Sequence, residues 1–382
     1  MKASPRIAIV AGEASGDQLA SHLIAALKAR LPGARFFGIG GPKMQSHGFE
    51  AWWPMEKLAV MGYVEVLKRY REIAAIRRAL KARLLQDQPD IFIGVDAPDF
   101  NLGLEADLKA RGITTLHYVS PSIWAWRGER IHKIARAVHR VLALFPMEPP
   151  LYEKAGVPVT YVGHPLADQI PLHTDKRAVR AKLNLPLEGP IYALLPGSRQ
   201  SELEYLADTF VETARRIHAE QPQAVFLVPL ATRETRLRFE TAIYRCQVAH
   251  LPFRLLFGHA QDAMGAADVV LVASGTATLE AALVKRPMVI TYKLARASYR
   301  IMKRKAYLPY VGLPNVLAGR FLVPELLQED ATPDNLAQAL MNLEGDKRIA
   351  AHLEKAFTAL HLQLRQNTAE KAAAAVIACL PT

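Results

Sequence analysis

Cysteine is almost missing from this 382-residue chain: only Cys246 and Cys379 occur, far apart and without ligand-like spacing. That excludes a disulfide framework or a thiolate zinc site and suits a reducing compartment. No apolar run is long enough to span a bilayer. The first one stops at Gly12-Glu13, so it is expected to be a core strand, too short for a signal peptide. Low-complexity tracts and short-period repeats are absent as well. Acidic residues are in deficit, 36 against 48 basic ones, and the net charge is +12. Such a balance calls for an anionic partner: nucleic acid, a phospholipid surface or a phosphorylated substrate. No nucleic-acid recognition motif supports the first of these. Gly12–Asp17 lacks both the Lys-Ser/Thr ending of a P-loop and the GxGxxG spacing of a dinucleotide fold. Phe36–Gly41, at the end of the second expected strand, lacks the acidic residue that would hold a ribose there. NAD binding is thereby disfavoured.

What is present is a well-packed α/β chain, 51% hydrophobic and 22% charged. Short apolar runs alternate with helical stretches, the pattern of a parallel sheet covered on both faces. Strands are expected at 7–11, 35–39, 91–95, 114–119, 138–144 and 159–162. The clearest helices fall at 18–30, 64–86 and 102–111. A proline-containing, polar stretch around His173-Thr174-Asp175-Lys176 breaks the pattern, which then restarts with strands at 191–195, 224–229, 253–256, 269–272 and 288–292. The length favours two domains. The expected architecture is two doubly wound, Rossmann-like parallel-sheet domains facing a cleft. The first spans residues 1–170 and the second 186–345, with helices over 346–382 packing back across them. In open sheets of this kind ligands bind beyond the carboxyl ends of the strands.

Two strand-to-loop junctions in the second half suit a nucleotide diphosphate. Strand 191–195 runs into Pro196-Gly197-Ser198-Arg199, and strand 269–272 into Ala273-Ser274-Gly275-Thr276-Ala277-Thr278-Leu279-Glu280. Glycine admits close approach, helix-start amides and hydroxyls offer donors, and Arg199 adds a fork suited to phosphate. Its alternative is an ordinary exposed loop arginine. Glu280 could accept from both hydroxyls of a ribose, or simply favour the helix dipole. Leu313–Arg320 offers a third loop, with Asn315 and Arg320.

In the first half, Glu13, Ser15 and Asp17 follow the first strand, and Ser15 and Asp17 could equally be helix caps. Glu13 interrupts a tight glycine turn where no cap is needed. Asp96-Ala97-Pro98-Asp99-Phe100-Asn101 follows the third strand. A carboxylate there could take a proton from a sugar hydroxyl, while Asp99 or Asn101 could instead cap the next helix. Ser120–Arg127 brings together Trp124, Trp126 and Arg127, suited to a sugar or lipid contact, with core packing the rival for one tryptophan. Trp52, Trp53, Met61 and Tyr63 belong to a poorly patterned apolar segment. It runs into a helix carrying Lys68, Arg69, Arg71, Arg77, Arg78, Lys81 and Arg83. Interfacial tryptophans beside a basic helix suit an anionic membrane; a solvated face over a core stripe is the alternative. A second basic run lies at Arg296–Lys305.

Six of these segments, in this order, resemble the lipid-A-disaccharide synthase family of GT-B glycosyltransferases (glycosyltransferase family 19). They are Gly12–Asp17, Ala97–Asn101, Ser120–Arg127, Leu195–Arg199, Ser274–Ala281 and Leu313–Arg320. The resemblance runs nearly end to end. It implies transfer of 2,3-diacylglucosamine from its UDP conjugate to 2,3-diacylglucosamine 1-phosphate (lipid X), giving a β-1,6-linked disaccharide 1-phosphate and UDP. It further implies Asp99 as base, with Glu13 or Asp17 as alternatives. Gly197, Ser198, Arg199, Ser274–Thr278, Glu280 and Asn315 would hold UDP. Ser15, Asn101, Trp52, Trp53, Met61, Tyr63, Trp124, Trp126 and Arg127 would receive the acylated acceptor. No cofactor or metal is expected, because no Asp-x-Asp pattern occurs. The expected setting is the cytoplasmic face of the inner membrane, peripherally bound, as monomer or homodimer. Rival expectations are a UDP-sugar transferase or epimerase acting on a soluble sugar, and a non-catalytic lipid or nucleotide binder.

Overall fold

The structure is a computed structural model describing residues 4–58 and 63–381, with the backbone alone at 63–70 and 297. The chain forms two compact units. One ends at Asp168 and takes back the segment from Leu364, and the other is Gln169–Gln363.

The first unit contains strands β1 (Arg6–Ala11), β2 (Arg35–Gly40), β3 (Glu50–Pro54), β4 (Ile91–Val95), β5 (Thr114–Tyr118), β6 (Arg140–Ala143) and β7 (Val159–Tyr161). They form one parallel sheet in the order β3-β2-β1-β4-β5-β6-β7. β1 is a continuous apolar run because both of its faces are covered. Ile7, Ile9 and Ala11 pack with Leu19, Leu23 and Leu27 of the helix Ala14–Arg30. Ala8 and Val10 point the other way, to Ile76, Leu80 and Leu84 of the helix Tyr63–Asp87. The carboxy-terminal helix Thr368–Ile377 adds Ala372, Ala373 and Val376 to the first of these layers. Its start is fixed by Asp168, which accepts from the amides of Asn367 (3.0 Å) and Thr368 (2.7 Å).

One expectation is corrected at the sheet edge. Trp52 and Trp53 do not form a free apolar segment; they lie in β3, paired with β2. Trp52 stacks on Phe37 at 4.8 Å, is covered by the Arg83 guanidinium at 3.8 Å, and donates to Glu50. The alternation there was hidden because the pairing shifts register within this short edge strand and both tryptophans pack against the same core layer. Met61 lies outside the described residues, and so does the side chain of Tyr63.

The second unit contains β8 (Ile191–Leu195), β9 (Val225–Leu230), β10 (Phe253–Phe257), β11 (Val269–Ala273), β12 (Met288–Tyr292) and β13 (Glu325–Leu327), again parallel, in the order β10-β9-β8-β11-β12-β13. The polar stretch before it is built into this unit. Lys176–Lys182 is a helix, and its buried Arg180 donates to the carbonyls of Ala266, Leu187 and Gly189 and to Asp268 at 2.7 Å.

Each sheet winds outward in both directions from an interior pair of strands. The reversal falls between β1 and β4 in one unit and between β8 and β11 in the other. Loops leaving the carboxyl ends of such a pair diverge to opposite faces and leave a crevice where ligands bind. Those loops are Gly12–Asp17 and Asp96–Asn101 in the first unit, and Pro196–Glu202 and Ser274–Glu280 in the second.

Candidate active site

At the β1/β4 crevice, Glu13 precedes the helix Ala14–Arg30 in extended conformation, exposed, with no side-chain cap bond. Ser15 is exposed too. Asp17 is different, and its expected role as an alternative base is not supported by its surroundings. It is 3% exposed. One oxygen accepts from the amides of Gly41 (2.9 Å) and Met44 (3.0 Å), the other from Lys43 (3.1 Å). A carboxylate holding the start of the helix Pro42–Ser46 with three amides is a structural anchor.

After β4 the backbone turns through two successive left-handed residues, Asp96 (φ 52°) and Ala97 (φ 42°). Neither is glycine, so the turn is strained and must be held in place. Asn101 supplies part of that hold. Fully buried, it donates to the Asp96 carbonyl at 2.8 Å, so it supports the loop and is not exposed to an acceptor. Asp99, in the first turn of the helix Pro98–Lys109, is 83% exposed and pairs with Arg130 at 3.0 Å. Further along that helix, the buried Glu105 meets His117 of β5 at 2.7 Å. Burial raises the Glu105 carboxyl. Burial opposes charge on the His117 ring, but the facing carboxylate outweighs it and raises that ring's pKa. This buried hydrogen bond fixes the helix to the sheet.

The loop after β5 divides its two tryptophans. Trp126 is 39% exposed, with the Arg127 guanidinium 4.1 Å over its ring. Trp124 is half-buried and bonds to Glu148. Glu148, 1% exposed, also accepts from the Phe145 amide at 3.0 Å and from Ser120, yet burial pushes its pKa up to about 7. Nothing in the sequence marked Glu148, since it sits in a plain Met-Glu-Pro-Pro context far from the loop it braces.

In the second unit, Gly197 sits at φ 120°, and an added Cβ would lie 2.4 Å from a Glu202 oxygen. Only glycine fits there. Glu202 is the organising residue of this turn. One oxygen accepts from the amides of Ser198 (2.9 Å) and Arg199 (3.1 Å), and the other lies 3.3 Å from the Arg199 guanidinium. Its position three residues past the helix N-cap was the available signal. The Arg199 side chain stays 59% exposed.

Across the crevice, Gly275 and Thr276 are exposed at the start of the helix Thr276–Leu283, and open space lies where a Gly275 Cβ would point. Ser274 is half-buried and Ala277 likewise. The Thr278 hydroxyl is spent inside the turn, donating to the Gly275 carbonyl at 2.8 Å. Glu280 is half-buried, its carboxylate makes no hydrogen bond or ion pair among the described residues, and burial raises that carboxyl's pKa. An unpartnered, desolvated carboxylate in the helix that follows β11, beyond its first turn, marks a candidate functional site.

Asn315 departs from expectation. It is wholly buried, donates to the Val323 carbonyl (3.0 Å) and Glu325 (2.8 Å), and accepts from the amides of Leu322 and Val323. Glu325 in turn accepts from the amides of Val311 and Gly312. With both ends of its side-chain amide engaged, Asn315 positions the Val311–Gly312 backbone and its side chain has nothing left for a nucleotide.

These loops coincide with the segments of a known family. A model of "Lipid-A-disaccharide synthetase" matches residues 7–377. The chain is 73% identical to the lipid-A-disaccharide synthase of Dechloromonas aromatica over 381 residues, covering all of both chains. It is 62% identical to that of an Azoarcus species, covering 98% of this chain and 96% of that one. The chain belongs to the lipid-A-disaccharide synthase family. It is therefore a glycosyltransferase of lipid A biosynthesis. Solved structures agree on the fold. The calicheamicin glycosyltransferase CalG4 superposes with a TM-score of 0.63 at 15% identity, covering 100% of this chain and 99% of that one. A UDP-GlcNAc 2-epimerase from Neisseria meningitidis gives 0.62 at 11% identity, covering 99% of each. Both likenesses carry the GT-B architecture expected of the family.

No helix among the described residues is long and apolar enough to cross a membrane, and no group of three or more His, Cys, Asp or Glu side chains there is placed to hold a metal ion.

Proposed function

We propose that the enzyme joins UDP-2,3-diacylglucosamine to 2,3-diacylglucosamine 1-phosphate, releasing UDP and a β-1,6-linked disaccharide 1-phosphate. The single observation that carries this reading is the full-length match to a family of that name, with an unpartnered Glu280 and an open helix start at one switch point. In the donor site, Glu280 accepts from the two ribose hydroxyls. The amides at Gly275–Ala277, with Arg199, face the diphosphate and stabilise the charge that grows on departing UDP. Those fixed donors take the place a divalent cation has in other transferases, so EDTA should leave turnover intact.

In the acceptor site, Asp99 removes the proton from the 6-hydroxyl of the acceptor as that oxygen attacks the anomeric carbon. Its salt bridge to Arg130 holds the carboxylate in place. Glu13 is the alternative base: exposed and uncapped at the same crevice. One in-line displacement on an α-linked donor gives the β product. Trp126, with Arg127 over its ring, offers an apolar face and a cation to the acylated sugar phosphate.

The substrates' chains require the enzyme to meet a membrane, and the basic helix Tyr63–Asp87 suits an anionic surface. Beyond Arg71 it has an ordinary core stripe at Ile76, Leu80 and Leu84, and Lys81 pairs with Asp107. Arg77 and Arg78 stay exposed for lipid headgroups. Salt-reversible sedimentation with anionic vesicles, lost in an Arg77→Ala/Arg78→Ala enzyme, supports that contact; unchanged sedimentation removes it. The reaction itself is tested by following UDP release. Release should need both diacylated sugars, and release from the donor alone would refute transfer to an acceptor.

A further inference from the structure

We propose that the second unit holds an acyl chain of the donor in an apolar pocket beside the nucleotide loop, walled by Tyr292, Tyr299, Met302, Val311 and Leu327. This rests on the donor assignment made above and deepens it.

The pocket has a volume of about 270 Å³ and opens against Ser274, the first residue of the loop facing the diphosphate. A sugar joined to that diphosphate must sit next to Ser274. Whatever hangs from the sugar's 2- or 3-position meets these walls within a few bonds. The lining is mainly apolar, and its polar groups are the Tyr292 and Tyr299 hydroxyls, Gln328 and Ser274. Gln328 borders the pocket, but both ends of its amide are committed to Leu294, accepting from the amide at 2.6 Å and donating to the carbonyl at 3.0 Å. Ser274 makes only a long bond of 3.4 Å to the Val311 carbonyl. A mainly apolar lining favours hydrocarbon over a bare sugar or a second nucleotide.

The walls are built differently on the two sides, which bears on what they select. On one side the Asn315–Glu325 clamp fixes Val311 through the Val311 and Gly312 amides. Gly312 itself lies so close to Ile290 that an added Cβ would come within 2.2 Å of it. That wall is rigid. The other side is the helix Arg296–Lys305, which presents Tyr299 and Met302 three residues apart on one face. Apart from the half-buried Tyr299, its described side chains are exposed, and Met302 is 39% exposed. Methionine fits chains of varied shape because it is unbranched and polarisable. The pocket also lies close to the phosphate loops: the Tyr292 hydroxyl is raised first by burial, then by nearby Glu202, with Arg199 opposing. Met302, on the exposed side of the pocket, is then the adjustable wall whose bulk sets the chain length accepted.

The test compares Met302→Trp, Met302→Ala and wild-type enzymes on UDP-glucosamine donors acylated with chains of graded length. UDP affinity is measured in parallel by calorimetry. Met302→Trp is expected to keep UDP affinity within about twofold while kcat/KM falls at least tenfold for the longest chain and little for acetyl. Each buried methylene is worth about fourfold. Met302→Ala, the milder change, is expected to move the optimum to longer chains. Unchanged chain preference in both variants, with transfer retained, overturns the pocket alone. Absence of transfer from every acylated donor by the wild-type enzyme overturns the donor assignment, and the pocket with it.

Discussion

The carboxylate of Glu202 holds the amide of Ser198 at 2.9 Å, and through it the whole Pro196–Arg199 turn takes its shape. Glu202 is 9% exposed and touches no ligand in this account; it positions Arg199. Glu202→Ala should therefore weaken UDP binding about tenfold, the order of one buried charge-assisted hydrogen bond, and shift KM more than kcat. Gly197→Ala should do at least as much, because its Cβ would enter the same carboxylate. Calorimetric titration with UDP reads both. Unaltered affinity in either variant would remove the turn from the donor site.

Asp99 is placed to act on the acceptor and not on UDP. Asp99→Asn should lower kcat by roughly a hundredfold to ten-thousandfold, the usual range for a lost general base, with UDP affinity preserved. Full activity would pass the role to Glu13, and the matching Glu13→Gln enzyme then decides between them.

Glu280 sets stability against function. Its carboxyl is raised by burial, so the folded state holds its proton more tightly than the unfolded state does. As pH rises past the ordinary glutamate value the unfolded chain releases that proton first, and the free enzyme loses stability. Glu280→Gln should unfold at a higher temperature than wild type at neutral pH, yet bind UDP about tenfold to a hundredfold more weakly. Thermal melts with and without UDP check both directions at once.

Glu148 makes the same argument in a defined pH window. Its folded pKa is about 7 against an ordinary 4.5. The contribution is favourable below pH 4.5 and declines as pH rises to 7, by on the order of 3 kcal/mol. Denaturant midpoints across pH 5 to 8 should show that decline in wild type and lose it in Glu148→Gln. Trp126 fluorescence should report loosening of the braced loop over the same window. A Gln variant with the wild-type pH slope would place the titration elsewhere.

Much of this molecule was legible in its sequence because a parallel strand buried on both faces is a solid apolar block. Ile91–Val95, Ile191–Leu195 and Met288–Tyr292 fall where the runs of branched residues placed them. β3 and β13 were missed, since a three- to five-residue edge strand carries too little pattern to separate it from a loop. Loop positions after β1, β4, β8 and β11 were readable from their glycine and acidic residues. What each side chain does there was not. Asp17, Asn101 and Asn315 looked as available as Asp99 and Glu280, because sequence shows a polar group but not whether burial and backbone groups have already claimed it. Glu148 lay hidden because two of its partners, Ser120 and Trp124, belong to a distant loop, and Glu202 could be read only once the helix start at Arg199 was placed.

A single inverting transfer between two diacylated sugars dictates what the product must be. Wild-type enzyme given UDP-2,3-diacylglucosamine and lipid X should yield one disaccharide 1-phosphate per UDP released, with the new linkage β and to the 6-hydroxyl by proton NMR. An α linkage, an epimerised sugar, or UDP released without any disaccharide would contradict it.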